Sequence, residues 1–305
     1  MGMQRDRARR RIIASIILLA LAAALLFTPR GGLLARGLNG LRVGVLNLPG
    51  IAWARGQLGR GAPPGAEARP ASEGSDAIRT LLREGMSLQE QGKPEEALRR
   101  YQRALEADRD YPPTYAALAS AYMQLEQEDE AVQALEQAAA LAPDNGFVLG
   151  QLGELYLKRD NYEGSIAVLE RAKAAEPEEP RIRSMLGTAY YYRAHADIQN
   201  AVLELEQGTR LAASDADIHF RLALAYMQRD EAGDGDRAIQ TLKRVLELDP
   251  AQAEAYRYLG MLYLRSGRRE EAIAAWRRYV EAGEDKETVA QVSEWLRSLE
   301  AGQTP

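Results

Sequence analysis

Few residues in this 305-residue sequence are equipped for covalent or acid–base chemistry. It holds two histidines, His195 and His219, and no cysteine. Without thiols there is no disulfide, no thiolate metal site and no thiol nucleophile. The cysteine that carries the lipid of a bacterial lipoprotein is missing too. Neither histidine has a histidine or carboxylate at metal-ligand spacing. No nucleophile elbow and no phosphate-cradling glycine loop is present. One acidic run, Arg229-Asp230-Glu231-Ala232-Gly233-Asp234-Gly235-Asp236, has the composition of a calcium loop. It lacks the EF-hand spacing and the closing glutamate, and its Asp-Gly pair reads as a solvated turn. The sequence therefore predicts no enzyme, no cofactor and no metal. What remains able to bind something is a line of apolar residues. Met123, Leu157, Tyr191, Met227 and Leu264 recur at near-constant spacing, with Phe220, Leu224 and Met261 beside them.

The elements that position this line show as columns. Gly85, Ala119, Gly153, Gly187, Ala223 and Gly260 stand 34, 34, 34, 36 and 37 residues apart. Three residues on come Leu88, Tyr122, Tyr156, Tyr190, Tyr226 and Tyr263. A third column is small again: Ala97, Ala131, Ser165, Ala201, Ala238 and Ala272. Self-similarity at a fixed period marks a repeat array. Tyr115, Leu118, Ala119 and Tyr122 form one face of a helix. After a short polar turn, Ala131, Leu135 and Ala138 form the face of a second. Small residues let the two backbones approach while large ones fill the gaps. Pro143, Pro177 and Pro250 end second helices, because a proline pushes the preceding residue out of the α region. One such pair buries too little alone, so neighbours must stack.

The run Leu118, Ala119, Tyr122, Ala131, Leu135, Ala138, Pro143 resembles the tetratricopeptide repeat. Tyr256, Leu259, Gly260, Tyr263, Ala272 and Trp276 resemble it again. The resemblance covers about three quarters of the chain in six repeats: 78–111, 112–145, 146–179, 180–215, 216–252 and 253–286. Departures are local. Glu84 replaces a usual leucine, and Arg183 and His219 replace a usual aromatic. Arg109, Ala213 and Glu284 replace the closing proline. The resemblance implies an all-α, right-handed superhelical solenoid whose first helices line a concave face, and binding of a protein or peptide partner. The i+4 line reads Gln89, Met123, Leu157, Tyr191, Met227, Leu264, an adaptable groove for an apolar or amphipathic segment. It does not resemble the family's clamp for a terminal carboxylate. Leu82, Ala116, Gly150 and Ser184, or Met86, Ser120 and Glu154, stand where that clamp uses Lys, Asn and Arg. A competing reading has neighbouring helices or residues 31–60 covering the stripe. Residues 287–305 read as a capping helix and tail, with Val289, Val292 and Leu296 alternating with polar residues.

Charge divides the chain. The net charge is −5, yet residues 1–70 carry +9 and the remainder −14. An acidic body is a poor match for nucleic acid, whose phosphates need Lys and Arg to replace counterions. A basic tail, 1–11, precedes an apolar run, Ile12 to Phe27, ended by Thr28, Pro29 and Arg30. Its sixteen residues reach roughly 24 Å at ~1.5 Å each, a minimal membrane span if Arg11 and Arg30 snorkel. Two readings fit: a signal anchor over 12–28, or a cleaved signal peptide cut near Ala20-Leu21-Ala22 or Ala22-Ala23-Ala24. The anchor is favoured because the apolar run continues through Leu25, Leu26 and Phe27. The arginine cluster before the run orients a single pass in the cytoplasmic membrane with the repeats outside the cytoplasm. Residues 29–77 form a linker. Within it, 31–60 reads either as an interfacial segment with Trp53 and Arg55 at the headgroups or as a linker tucked against the first repeat. The expected protein is a membrane-anchored scaffold for a partner, serving assembly of a membrane or envelope complex. The alternatives are a permanent subunit of a membrane complex and a secreted or periplasmic repeat protein.

Overall fold

Alanine, leucine, glutamate and arginine run in windows bounded by Pro, Asn and Asp, and these windows are helices. The computed structural model describes residues 73–193 and 197–303. Among these residues the chain forms thirteen helices and no strand. They are α1 Glu73–Glu90, α2 Pro94–Ala107, α3 Pro112–Gln124, α4 Glu128–Leu141, α5 Gly146–Lys158, α6 Tyr162–Ala175 and α7 Pro180–Arg193. Then come α8 Ile198–Leu211, α9 Ala216–Arg229, α10 Asp234–Leu248, α11 Ala253–Arg265, α12 Arg269–Ala282 and α13 Lys286–Glu300. The apolar run Ile12 to Phe27, the stretch 31–60 and His195 lie outside the described residues. No helix among the described residues is long and apolar enough to cross a membrane.

Starts follow the local chemistry. Asn145, Asn161, Asp215 and Asp285 accept main-chain N–H groups of the first turns of α5, α6, α9 and α13, satisfying donors that a helix leaves orphaned. Glu95 and Glu96 in α2, Glu128 to Glu130 in α4, and Glu270 and Glu271 in α12 put negative charge at the positive ends of their helices. The ends hold a finding. Helices α4, α6 and α10 stop just before Pro143, Pro177 and Pro250. Helices α2, α8 and α12 stop at the same register, where Arg109, Ala213 and Glu284 stand instead. Proline is thus not required for a second helix to end at this register.

Within a pair, the turn needs one left-handed residue. Gly92, Glu126, Asp160, Asp230 and Gly267 have φ between 53° and 74°. In four of these turns the next N–H closes back over the helix end: Lys93 to Leu88, Gln127 to Tyr122, Asn161 to Tyr156, and Arg268 to Tyr263. That is the Schellman pattern, which satisfies carbonyls left open at the helix end.

The helices stack as six pairs and a terminal helix. Each first helix packs chiefly on the second of its own pair, and each second helix on the first of the next. First helices also touch one another, α1 with α3, α5 with α7 and α7 with α9. They therefore lie on the tighter, inner side of the stack. The columns of small residues sit where pairs close. A Cβ on Gly153 would lie 2.5 Å from Leu169 Cγ, and one on Gly187 2.6 Å from Leu205 Cγ. At Gly85 and Gly260 it would run into the rings of Tyr101 and Trp276. Ser165 uses its hydroxyl at the same seam, donating to Gly153 O at 2.8 Å.

A second regularity joins pairs rather than helices. Tyr156 donates to Glu136 at 2.6 Å, Tyr190 to Glu170 at 2.8 Å and Tyr226 to Glu206 at 2.7 Å. Each tyrosine bonds the carboxylate twenty residues earlier, on the preceding pair. Twenty residues before Tyr122 and Tyr263 stand Gln102 and Lys243 instead of a glutamate, and no such bond forms there. Arg193, Arg229 and Arg268 lie over the rings of Tyr190, Tyr226 and Tyr263.

Candidate partner groove

The line of apolar residues lies on the first helices. Met123 ends α3, Leu157 ends α5, and Tyr191 lies in α7. Phe220, Leu224 and Met227 lie in α9, with Met261 and Leu264 in α11. Met123 is exposed at 39%. The other seven are partly buried. Tyr191, Phe220, Met227, Met261 and Leu264 pack on the core of the last three pairs while keeping part of their surface open. Helical spacing puts one residue per pair on this line, and the contacts between first helices bring the pairs together.

The line changes character along its length. Its first member, Gln89, is buried in a polar network. Tyr101 donates to Gln89 Oε1 at 2.6 Å, and Gln89 Nε2 donates to Ser120 Oγ at 3.3 Å and Gln124 Oε1 at 3.0 Å. The i−3 line is floored by buried small residues, Ala116 and Gly150. A Cβ on Gly150 would meet nothing nearer than Ile182 Cγ1 at 3.9 Å. The far half is aromatic. Tyr191 meets Tyr192 edge-on at 5.0 Å, Tyr192 stacks with Tyr162 at 5.7 Å, and Phe220 meets Tyr258 at 5.8 Å. Burial raises the Tyr191 phenol, and the neighbouring Tyr258 and Tyr192 raise it further. Burial also raises Tyr192, with Arg221 opposing. Both phenols are therefore neutral at physiological pH.

A model of the tetratricopeptide repeat matches residues 88–138, 126–188 and 231–292, just over half of the chain. The chain belongs to the tetratricopeptide repeat family. Solved structures share the fold. PilF of Pseudomonas aeruginosa superposes with a TM-score of 0.61 at 18% identity, over 73% of this chain and 99% of that one. YrrB, described as having an unusual peptide-binding site, gives 0.55 at 20%, over 64% and 97%. MamA of Desulfovibrio magneticus, from residue 41 on, gives 0.53 at 22%, over 58% and 97%. At these identities the likeness is one of fold. No curated protein matches the chain.

The departures from the tetratricopeptide repeat pattern have structural uses. Arg183 and His219, at the aromatic position, both reach the carbonyl six residues back. Arg183 Nε and Nη2 donate to Pro177 O at 3.1 and 2.9 Å, and His219 Nε2 lies 3.2 Å from Ala213 O. His219 is thus held against the main chain of the loop before α9. Arg183 also joins Lys173 on the buried Glu204, each at 2.9 Å. Glu84 pairs with Arg100 at 3.3 Å.

The acidic loop differs from a solvated turn at one residue. Asp234 is fully buried. It accepts Arg229 Nε and Nη2 at 2.8 and 2.7 Å, Arg237 at 3.2 Å and the Glu231 N–H at 3.1 Å. The short loop can bury a carboxylate because two guanidinium groups and a main-chain donor fill its lone pairs. Among the described residues no His, Asp or Glu group is arranged to hold a metal.

Sequence reasoning missed Tyr192, Arg221 and Tyr258. A signal was present for the first, since Tyr190, Tyr191 and Tyr192 are consecutive and only one tyrosine was needed for the repeat. Arg221 carried no signal until its partners were placed.

Proposed function

We propose that this tetratricopeptide repeat protein is a non-enzymatic scaffold that holds an extended or helical segment of a partner protein along its inner face. The segment lies on Met123, Leu157, Tyr191, Phe220, Leu224, Met227, Met261 and Leu264. The observation that carries this reading is that these eight residues sit on neighbouring first helices without any being fully enclosed in the core. A continuous, half-open apolar line is where a partner helix or strand gains most from burial. YrrB, of the same fold, is described as having a peptide-binding site. The run Ile12 to Phe27 tethers the array to the cytoplasmic membrane with the repeats outside the cytoplasm. That placement suits assembly of a membrane or envelope complex.

Photo-crosslinkers at Tyr191 and Met227, activated in intact membranes, test the reading. Partners captured at these sites, and lost when Leu157, Tyr191 and Met227 are all replaced by Glu with helicity unchanged, support it. A single stoichiometric partner identifies a permanent complex, and many substoichiometric ones an assembly factor. Crosslinks only elsewhere on the array refute the groove.

A further inference from the structure

We propose that Arg221 and the tyrosines beside it seat the carboxylate of an internal aspartate or glutamate in the otherwise apolar partner segment. The proposal rests on the inner-face groove above and gives its occupant a charge.

Arg221 is unusual in its pairing. Each of the other partly buried arginines among the described residues is ion-paired: Arg183 with Glu204, Arg193 with Asp197, Arg229 with Asp234, Arg257 with Glu254, and three more likewise. Arg221 has no such pair. Its one hydrogen bond among the described residues runs from Nη1 to Thr188 Oγ1 at 3.1 Å. Thr188 already donates its proton to Ser184 O at 2.7 Å, so its oxygen is fixed to accept. Asp217, one turn earlier on α9, forms no ion pair with it. A half-buried guanidinium satisfied by one hydroxyl keeps most of its five donors for a planar acceptor.

The surroundings favour an anion. Tyr192 lies within the field of Arg221, and Tyr191, Tyr192 and Tyr258 act on one another. None of these three hydroxyls makes a hydrogen bond among the described residues. Arg257, over the ring of Tyr258 at 4.2 Å, is already held by Glu254. The patch therefore offers one guanidinium and three phenols in a body that is otherwise acidic. Position selects the source of the carboxylate. Arg221 is on α9, which stands in the stack between α5 with Leu157 and α11 with Met261 and Leu264, so an occupant of the groove continues past it in both directions. An internal side chain fits this place, and a chain terminus does not.

The test uses a library of displayed random peptides selected on the full chain, with enriched peptides resynthesised. The expected result is an Asp or Glu at a fixed place between apolar residues. Changing it to Asn or Gln should weaken binding about tenfold, as loss of a charge-assisted bond does. Arg221→Gln should erase that difference, and Arg221→Lys should retain part of it. Because the peptide change is measured on the unaltered protein, misfolding of a variant does not blunt the test. Peptides that need Leu157, Tyr191 and Met227 but show no acidic preference, or keep it in Arg221→Gln, overturn the proposal and leave the groove standing. Peptides indifferent to the triple Glu variant, or no enrichment at all, overturn both.

Discussion

Replacing Gly187 and Gly150 by alanine should move stability in opposite directions. Both lie inside first helices, in α7 and α5, and both are buried. Alanine is better than glycine in a helix interior by about 0.8–1.0 kcal/mol at either site. The surroundings decide the rest. At Gly187 the new methyl would lie 2.6 Å from Leu205 Cγ and 3.1 Å from the main-chain oxygen of Ala201. Leu205 is 1% exposed and has nowhere to go. The two helices must part, and overpacking of this kind costs typically about 1–3 kcal/mol. The net is a loss of up to about 2 kcal/mol. At Gly150 the methyl meets Ile182 Cγ1 at 3.9 Å and Met185 Cε at 4.0 Å, which is ordinary contact. The helix gain then survives, close to 1 kcal/mol. With roughly 2–4 °C per kcal/mol for a chain this size, the melting temperature should fall by up to about 8 °C for Gly187→Ala and rise about 2–4 °C for Gly150→Ala. Thermal melts followed by circular dichroism at the helix band read both. If Gly187→Ala also raises the melting temperature, close approach does not explain the small-residue column.

Alkali should weaken the array through its tyrosines. Burial first, and the bond to a glutamate second, push Tyr156, Tyr190 and Tyr226 up to about 12. A phenol raised in the folded state stabilises fully below its unfolded value near 10. That contribution is lost as pH climbs from about 10 to 12, so melts across this window should decline, and more shallowly with all three replaced by Phe. Asp234→Asn should destabilise by about 2–4 kcal/mol, because it leaves Arg229 buried beside a neutral amide; an unfolding midpoint unchanged by this substitution would refute the account of the loop. Its carboxyl is held below the usual range, chiefly by the hydrogen bond from Arg229. Its stabilisation is therefore present above the ordinary aspartate value and disappears as pH falls below it. The wild-type acid limb should be steeper than that of the Asn variant.

The fold was legible because its determinants are local and periodic. Glycine or alanine every thirty-odd residues reports a place where a second helix must come close, and Tyr101, Leu169, Leu205 and Trp276 stand at those places. The turns were legible as polar, but their left-handed residue was not, since Glu126 and Asp160 do that work beside Gly92 and Gly267. The apolar line could be read from helical spacing alone. The hydrogen bonds that bury Gln89 at its start and the ring contacts of its second half could not, because those depend on Tyr101, Tyr162 and Tyr258, which reach in from other positions. Arg221 was opaque for the same reason. An arginine becomes informative only once the carboxylates it could pair with have been placed, and Asp217, within its field, forms no ion pair with it. Asp234 looked like one acid among several, and only its neighbours in space distinguish it.

The tyrosine–glutamate rungs have a further consequence. They cross three successive seams in the middle of the array and stop at Gln102 and Lys243. Cooperativity is therefore graded along the chain. The first and last pairs can peel away one at a time, while the centre opens only as a block. A protease should trim inward from both ends and stall at a resistant fragment running from α4 to α9. That fragment carries Leu157, Tyr191 and Arg221, so the part of the molecule expected to melt last is also the centre of the proposed groove.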